Sequence, residues 1–313
     1  MKIGYFGTPE HSAKLLDALI KEGHEVLFVA TNLDKPVGRD KHPTPSPVKK
    51  LAIEKKIPVL QFPNIRNDAA IDKMNSFEAE IYVVFAYGFI IPSRIFNFPR
   101  LGTINLHGSL LPEYRGASPV QSAILDGKEE TGATIQYITE ELDAGDIITQ
   151  VEVSISQEDT FGTLLEKITT LGIEDVLRLL KNSDGKKFPA KSQDHKEATH
   201  CKKIKPEDRK LDFSLSAEFL FNKIRAFNPG YICYTSFRGK RLNIYSTKLF
   251  NGENVDLSKK PGTLHMITKK TVGVECGDSK ILILESVQPE NKKVMSSLDF
   301  INGAKPQTGE VFL

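Results

Sequence analysis

Apolar and polar positions follow two alternating periods along the first 180 residues. Residues 2–6 (KIGYF) form a short apolar run that reads as a strand, and Gly7 turns the chain. Thr8 and Pro9 suit the cap and first turn of a helix over about 9–22, with Ala13, Leu16 and Leu19/Ile20 on one stripe and Gly23 at its end. A second apolar strand, EVLFVAT, follows. The stretch 32–45 has three prolines and little that could enter a core, so it reads as a surface loop. Ser46-Pro47 restarts a helix, further strands fall at 57–60, 80–85 and 101–107, and a helix lies near 67–76. This alternation predicts an α/β fold, a Rossmann-like, mostly parallel sheet with helices on both faces.

After residue 130 the pattern changes. TGATIQYIT and DIITQVEVSI read as two β-branched strands joined by a tight acidic turn, and a helix covers about 160–181. Residues 181–206 are polar, basic and punctuated by proline and glycine, so a domain boundary is expected there. A helix at about 215–226 precedes short strands near 232–238, 241–249, 262–267, 271–276 and 280–287, the pattern of a small β-barrel. The expected domains are 1–181 and 207–313, with a basic linker over 182–206.

Length agrees with two domains, since 313 residues exceed what one core usually supports. The net charge of +2 conceals an asymmetry: residues 1–180 carry 18 Lys+Arg against 25 Asp+Glu, and residues 181–313 carry 24 against 15. A basic half joined to an acidic one points toward a polyanionic partner. No apolar run approaches the roughly 20 residues of a membrane span, and the first residues read as a strand, not a signal peptide. Cys201, Cys233 and Cys276 are odd in number and far apart, which suits a reducing cytoplasm.

Several motifs can be set aside. Gly4 and Gly7 have the wrong spacing for a dinucleotide loop. His195, His200 and Cys201 lack a second pair at metal-finger spacing and read as parts of a solvated linker, so no metal is expected. Ser109 lacks the glycine that a nucleophile elbow needs after its serine. INLHG at 104–108 is different. Side chains alternate along a strand, so Asn105 and His107 share one face while Ile104 and Leu106 share the other. Paired polar groups at the end of an α/β strand occupy the edge where open sheets bind ligands. Downstream, the acidic turn EELDAGD (140–146) can bring a carboxylate beside the imidazole, favouring its charged form and fixing its tautomer.

INLHGSLLPEYRGASPVQSAI followed by TGATIQYITEELDAGDII resembles the formyltransferases that use 10-formyltetrahydrofolate. FGTPEHSAKLLDAL, KPVGRDKHPTPSPVKKLA, FNPG and PGTL extend the likeness over nearly the whole chain, to the branch whose acceptor is methionyl initiator tRNA. The resemblance implies Asn105, His107 and Asp143 as the catalytic set and Ser109, Leu110, Leu111 and Pro112 as the folate-contacting segment. It also implies Arg39, within a mobile loop over 33–45, as a tRNA contact, and a second domain of the oligonucleotide-binding barrel type. The chain departs from the family at FNPGYICY, where an aromatic and a second proline are common after FNP.

On that reading the enzyme is a cytoplasmic monomer serving translation initiation. Asn105 and a protonated His107 donate to the oxygen of the formyl group, and Asp143 holds His107 and takes the amine proton. Further phosphate contacts are expected from Lys202, Lys203, Lys205, Arg238, Lys240 and Arg241. Three other readings stand beside it: formylation of a nucleotide-linked amino sugar, hydrolysis of the folate donor, and RNA binding without catalysis. The loop GRDKHPTPSPVK and the basic C-terminal half disfavour the first, and the joint presence of Asn105, His107 and Asp143 disfavours the last.

Overall fold

The computed structural model describes residues 1–36, 42–252, 257–258 and 260–313. The chain forms two compact units: Met1–Pro119, Thr131–Ser154 and Glu166–Cys201 make the first, and Val120–Glu130, Ile155–Leu165 and Lys202–Leu313 the second. Arg39 lies outside the described residues.

The first unit is built on a seven-stranded sheet. Across it run Ile147–Ser154, Glu130–Tyr137, Thr103–His107, Ile81–Phe85, Lys2–Gly7, Glu25–Ala30 and Val59–Leu60. The last five strands are parallel to their neighbours, and Glu130–Tyr137 runs antiparallel to Thr103–His107. Two tyrosines identify helices on opposite faces. Gly4 pairs with Tyr82, so Tyr82 and the neighbouring Tyr5 point to opposite sides. Tyr5 Oη donates at 2.6 Å to Ser12 O of helix Glu10–Lys21, and Tyr82 Oη at 3.3 Å to Met74 O of helix Asp68–Asn75.

On the Tyr82 side, Phe6, Phe28 and Tyr82 form an aromatic cluster with ring centroids 5.2–5.7 Å apart. Gly4 serves this cluster: a Cβ there would lie 2.5 Å from the Tyr82 ring and 2.6 Å from Phe28.

Ser46 caps its helix as expected, accepting from Lys49 N at 3.1 Å. Thr8 does not cap the first helix. Pro9 occupies that position, and the Thr8 hydroxyl donates instead to Tyr87 O at 3.3 Å. The stem of the 32–45 loop is also more ordered than its composition implies, because Lys35–Pro36 pairs antiparallel with Pro43–Thr44. The solvated-linker reading of 181–206 needs a larger correction. Phe188, Gln193 and Cys201 are buried, Lys191 exchanges two 2.8 Å backbone bonds with Ile147, and His200–Cys201 pairs with Arg115–Gly116.

The second unit carries an antiparallel sheet in the order Cys233–Phe237, Lys240–Leu249, Ile281–Pro289, Thr271–Glu275, Leu264–Thr268, with Met295–Ser296 added against Ile281–Pro289. Its two outer strands are joined by residues 310–313. Leu313 and Ser236 exchange backbone bonds of 2.8 and 3.0 Å, and Leu264 N donates to Glu310 O at 2.7 Å. Closure of this kind satisfies the edges that an open sheet would expose. Helices Ala217–Phe227 and Ser297–Ala304 complete the unit.

Because the ring cluster leaves no space for a Cβ, Gly4→Ala is expected to cost about 1–3 kcal/mol through overpacking. Urea unfolding followed by far-UV circular dichroism measures this, and an unchanged midpoint would show that the rings yield freely.

Candidate active site

Strand Thr103–His107 sends Ile104 and Leu106 into the core, 1% and 4% exposed. Asn105 and His107 therefore share the opposite face. The antiparallel register sets Asn105 against Gln136 and His107 against Thr134, so four polar side chains from two strands share one surface.

His107 is held at both ring nitrogens. Nε2 lies 3.0 Å from Tyr114 O, and since a carbonyl only accepts, Nε2 carries the donating proton. Nδ1 faces Asp143 Oδ2 at 3.6 Å, longer than a hydrogen bond but within ion-pair reach. Asn105 is partly exposed and has no hydrogen bond from its amide to any described residue.

Asp143 lies in the acidic turn with φ +54°, a left-handed conformation that Asp tolerates better than most side chains. Gly116 N donates to Oδ2 at 2.9 Å and Gln136 Nε2 to Oδ1 at 3.1 Å. Asp146, the alternative carboxylate of this turn, is exposed and accepts from Ser192 Oγ at 3.0 Å. The turn thus directs Asp143, and not Asp146, toward His107.

The segment 109–112 is wound against the same surface. Ser109 is fully buried, and its Oγ donates to Glu113 O at 2.7 Å. Thr134 Oγ1 donates to Ser109 O at 2.6 Å and accepts from Leu111 N at 3.1 Å, while Gln150 Nε2 donates to Leu111 O at 2.9 Å. Leu111 is buried, whereas Leu110 and Pro112 remain partly exposed. Ser109 therefore shapes the segment from inside.

Gly116 joins this loop to residues 200–201. Its φ is +121°, and a Cβ would fall 2.3 Å from Cys201 O, so the approach requires glycine. Arg115 beside it is 1% exposed. Its Nε and Nη2 donate to Gln193 Oε1 at 3.1 and 2.7 Å, Nη2 lies 3.2 Å from His195 Nδ1, and Nη1 reaches Glu141 Oε1 at 3.4 Å.

Four contributors were absent from the sequence reading: Arg115, Thr134, Gln136 and Gln193. Thr134 and Gln136 had a visible signal, being the polar residues of one parity in an otherwise apolar strand. Gln193 had none. Among the described residues, no three His, Cys, Asp or Glu side chains gather as a metal site.

The expected phosphate contacts lie in the second unit. Lys202, Lys203, Lys205, Lys240 and Arg241 are exposed, and the Arg241 guanidinium stacks 3.9 Å from the Tyr234 ring centroid. Arg238 has partners within its own unit. It forks onto Glu310 at 2.6 and 2.8 Å and donates to Ala304 O at 2.9 Å and Lys305 O at 3.3 Å, tying the hairpin turn to the C-terminal segment.

Residues 1–180 match the family model described as formyl transferase, and residues 203–305 that of the formyl transferase C-terminal domain. The chain is 52% identical over 315 residues to a methionyl-tRNA formyltransferase of Leptospira interrogans, covering 100% of both sequences. It is 38% identical to a methionyl-tRNA formyltransferase of Bacillus subtilis over 99% of this chain and 97% of that one. Among solved structures, an N-formyltransferase from Helicobacter canadensis in complex with folinic acid and dTDP-3-aminofucose has the same fold. Its TM-score is 0.63 at 19% identity, over 92% of this chain and 99% of that one. With both domain models matched in order, and relatives aligned from end to end, the chain belongs to the formyl transferase family.

Proposed function

We propose that this chain transfers the formyl group of 10-formyltetrahydrofolate to the amino group of methionyl initiator tRNA, with Asn105, His107 and Asp143 carrying the step. The observation that most supports this is an amide at Asn105 with no hydrogen-bond partner among the described residues, on the same strand face as an imidazole whose Nδ1 lies against a carboxylate. The likeness to proteins named methionyl-tRNA formyltransferase, over the full chain, supports the choice of acceptor.

The amine nitrogen attacks the formyl carbon, and negative charge builds on the formyl oxygen. Asn105 Nδ2–H and the His107 ring donate to that oxygen, which lowers the barrier most if they are already oriented. In the free chain Nε2–H is spent on Tyr114 O, so Nδ1 is the ring edge open to a third group beside Asp143. Asp143 accepts the proton leaving the amine, directly or through one water. The bond from the formyl carbon to folate N10 then breaks, and N10 takes a proton. Leu110 and Pro112 are the side chains of the 109–112 segment open to the folate, while Ser109 and Leu111 hold its shape.

A formylation assay with 10-formyltetrahydrofolate and charged initiator tRNA tests the reading. A UDP-linked amino sugar and water serve as the competing acceptors, and transfer to either in preference to tRNA would overturn the choice of acceptor. Asn105→Ala and His107→Ala should each lower kcat by roughly 10²–10³, the usual loss on removing one such donor. Near-normal turnover in His107→Ala would refute the mechanism.

Asp143→Asn should cost far more turnover than Asp146→Asn, with folate affinity little changed in either. Equal losses would mean that the other carboxylate of the turn does the work.

Binding of the tRNA should weaken linearly with salt on logarithmic axes, by about 0.7–0.9 units per phosphate contacted. Reversing Lys240 and Arg241 to Glu should flatten that slope and spare folate binding. Arg238 is left intact because its fork to Glu310 serves the fold. An unchanged slope would exclude this pair from the tRNA contact.

A further inference from the structure

Gln193 lies in the stretch that composition marks as linker, yet it is only 6% exposed and both ends of its amide are committed. Oε1 accepts from Arg115 Nε at 3.1 Å and from Arg115 Nη2 at 2.7 Å. Nε2, with two hydrogens, donates to Asp143 O at 2.9 Å and to Gly145 O at 2.7 Å, and shares one of these hydrogens with Gln136 Oε1 at 3.3 Å.

The chemistry of the partners fixes which end is which. A guanidinium has only donors, so it must face the amide oxygen, and backbone carbonyls only accept, so they must face the NH₂ group. The same reasoning orients Gln136, whose oxygen meets Gln193 and whose nitrogen donates to Asp143 Oδ1 at 3.1 Å. The result is one continuous run of donors from the buried Arg115, through Gln193 and Gln136, to the Asp143 carboxylate. Such chains are mutually polarising, and each member is held by the next.

We infer that Gln193 is a positioning residue for formyl transfer. Its amide pins the backbone on both sides of Ala144 and, through Gln136, sets the rotation of the Asp143 carboxylate that faces His107. Asp143 is held in a left-handed backbone conformation with its side chain turned inward. Ser192 Oγ on Asp146 and the Lys191–Ile147 backbone pair hold the end of the turn, whereas Gln193 grips the carbonyls of Asp143 and Gly145 at its centre. The inference rests on the reading that Asp143 accepts the proton in the transfer step. It adds that a residue from beyond helix Phe161–Lys181 completes the site.

The test is a double-mutant cycle on the full-length enzyme, read as single-turnover formylation of charged initiator tRNA. Gln193→Glu keeps an oxygen for Arg115 and nearly the same shape, but replaces the donor to the turn with an acceptor. Its transfer rate should fall roughly ten- to hundredfold, the scale on which a small misplacement of a reacting group acts. KM for folate and for tRNA should stay within about twofold, because Gln193 is 6% exposed and its amide is committed at both ends. In an Asp143→Asn background the same change should cost less than about twofold, since a residue that acts through Asp143 has nothing left to position. Gln136→Leu cuts the run nearer the carboxylate and should show the same non-additivity, which keeps the test decisive if Gln193→Glu does not fold.

A full, additive loss in the Asp143→Asn background, or a rise in KM that accounts for the loss, would overturn the proposal and leave Gln193 a purely structural residue. If Asp143→Asn alone kept its turnover, the reading of the site would fail first. The positioning role would then fall with it, visibly for a different reason.

Discussion

Arg115 is nearly inaccessible to water, and its charge must be answered by acceptors that the surrounding chain supplies. Glu141 reaches it from an exposed position, so most of the compensation comes from the Gln193 oxygen and His195 Nδ1. Meeting that requirement brings residues 193–201 onto the loop that follows strand Thr103–His107. Once they are there, the Cys201 and Thr199 carbonyls, the Thr199 hydroxyl and the Cys201 sulfur satisfy backbone groups of 114–118. The loop that supports His107 is thus tied down by a segment that follows it by some 80 residues. The cost of burying one guanidinium is offset by its hydrogen bonds, and those bonds impose order on both segments.

The arrangement of the site then follows from strand geometry. An antiparallel neighbour sets Gln136 directly beside Asn105 and Thr134 beside His107, so polar groups accumulate on one face while Ile104, Leu106 and Ile135 fill the core on the other. A slip of one residue in this register would bury the polar row and expose the apolar one. The same interaction that stabilises the sheet therefore orients the chemistry.

Asn105 and His107 were legible because a period of two needs only the strand itself, and the strand is short, apolar and bounded by Gly102 and Gly108. Asp143 was legible only through the family resemblance. The acidic turn alone offers several carboxylates, and what separates Asp143 from Asp146 is a backbone conformation that composition does not reveal. Gln193 was not legible, since its burial depends on a guanidinium 78 positions earlier and no periodicity marks it. The Arg238 pairing was hidden for a related reason. A cationic turn gives no sign of its anion until Glu310 is brought alongside by closure of the sheet. Thr8 shows the local version of this limit: its cap position was taken by Pro9, and its hydroxyl found a carbonyl 79 residues away.

The closure of the C-terminal sheet also bears on synthesis. Ser236 and Leu264 are paired by residues 313 and 310, which follow every strand of the sheet, so both edges remain open while the strands between them are being made. During that interval Cys233–Phe237 and Leu264–Thr268 present unpaired backbone to any other nascent chain nearby. Slowing of translation between strand Ile281–Pro289 and residues 310–313 would lengthen that exposure without altering a single residue of the protein. The interval in which this sheet is open to a wrong partner is therefore set by how soon residues 310–313 reach its edges.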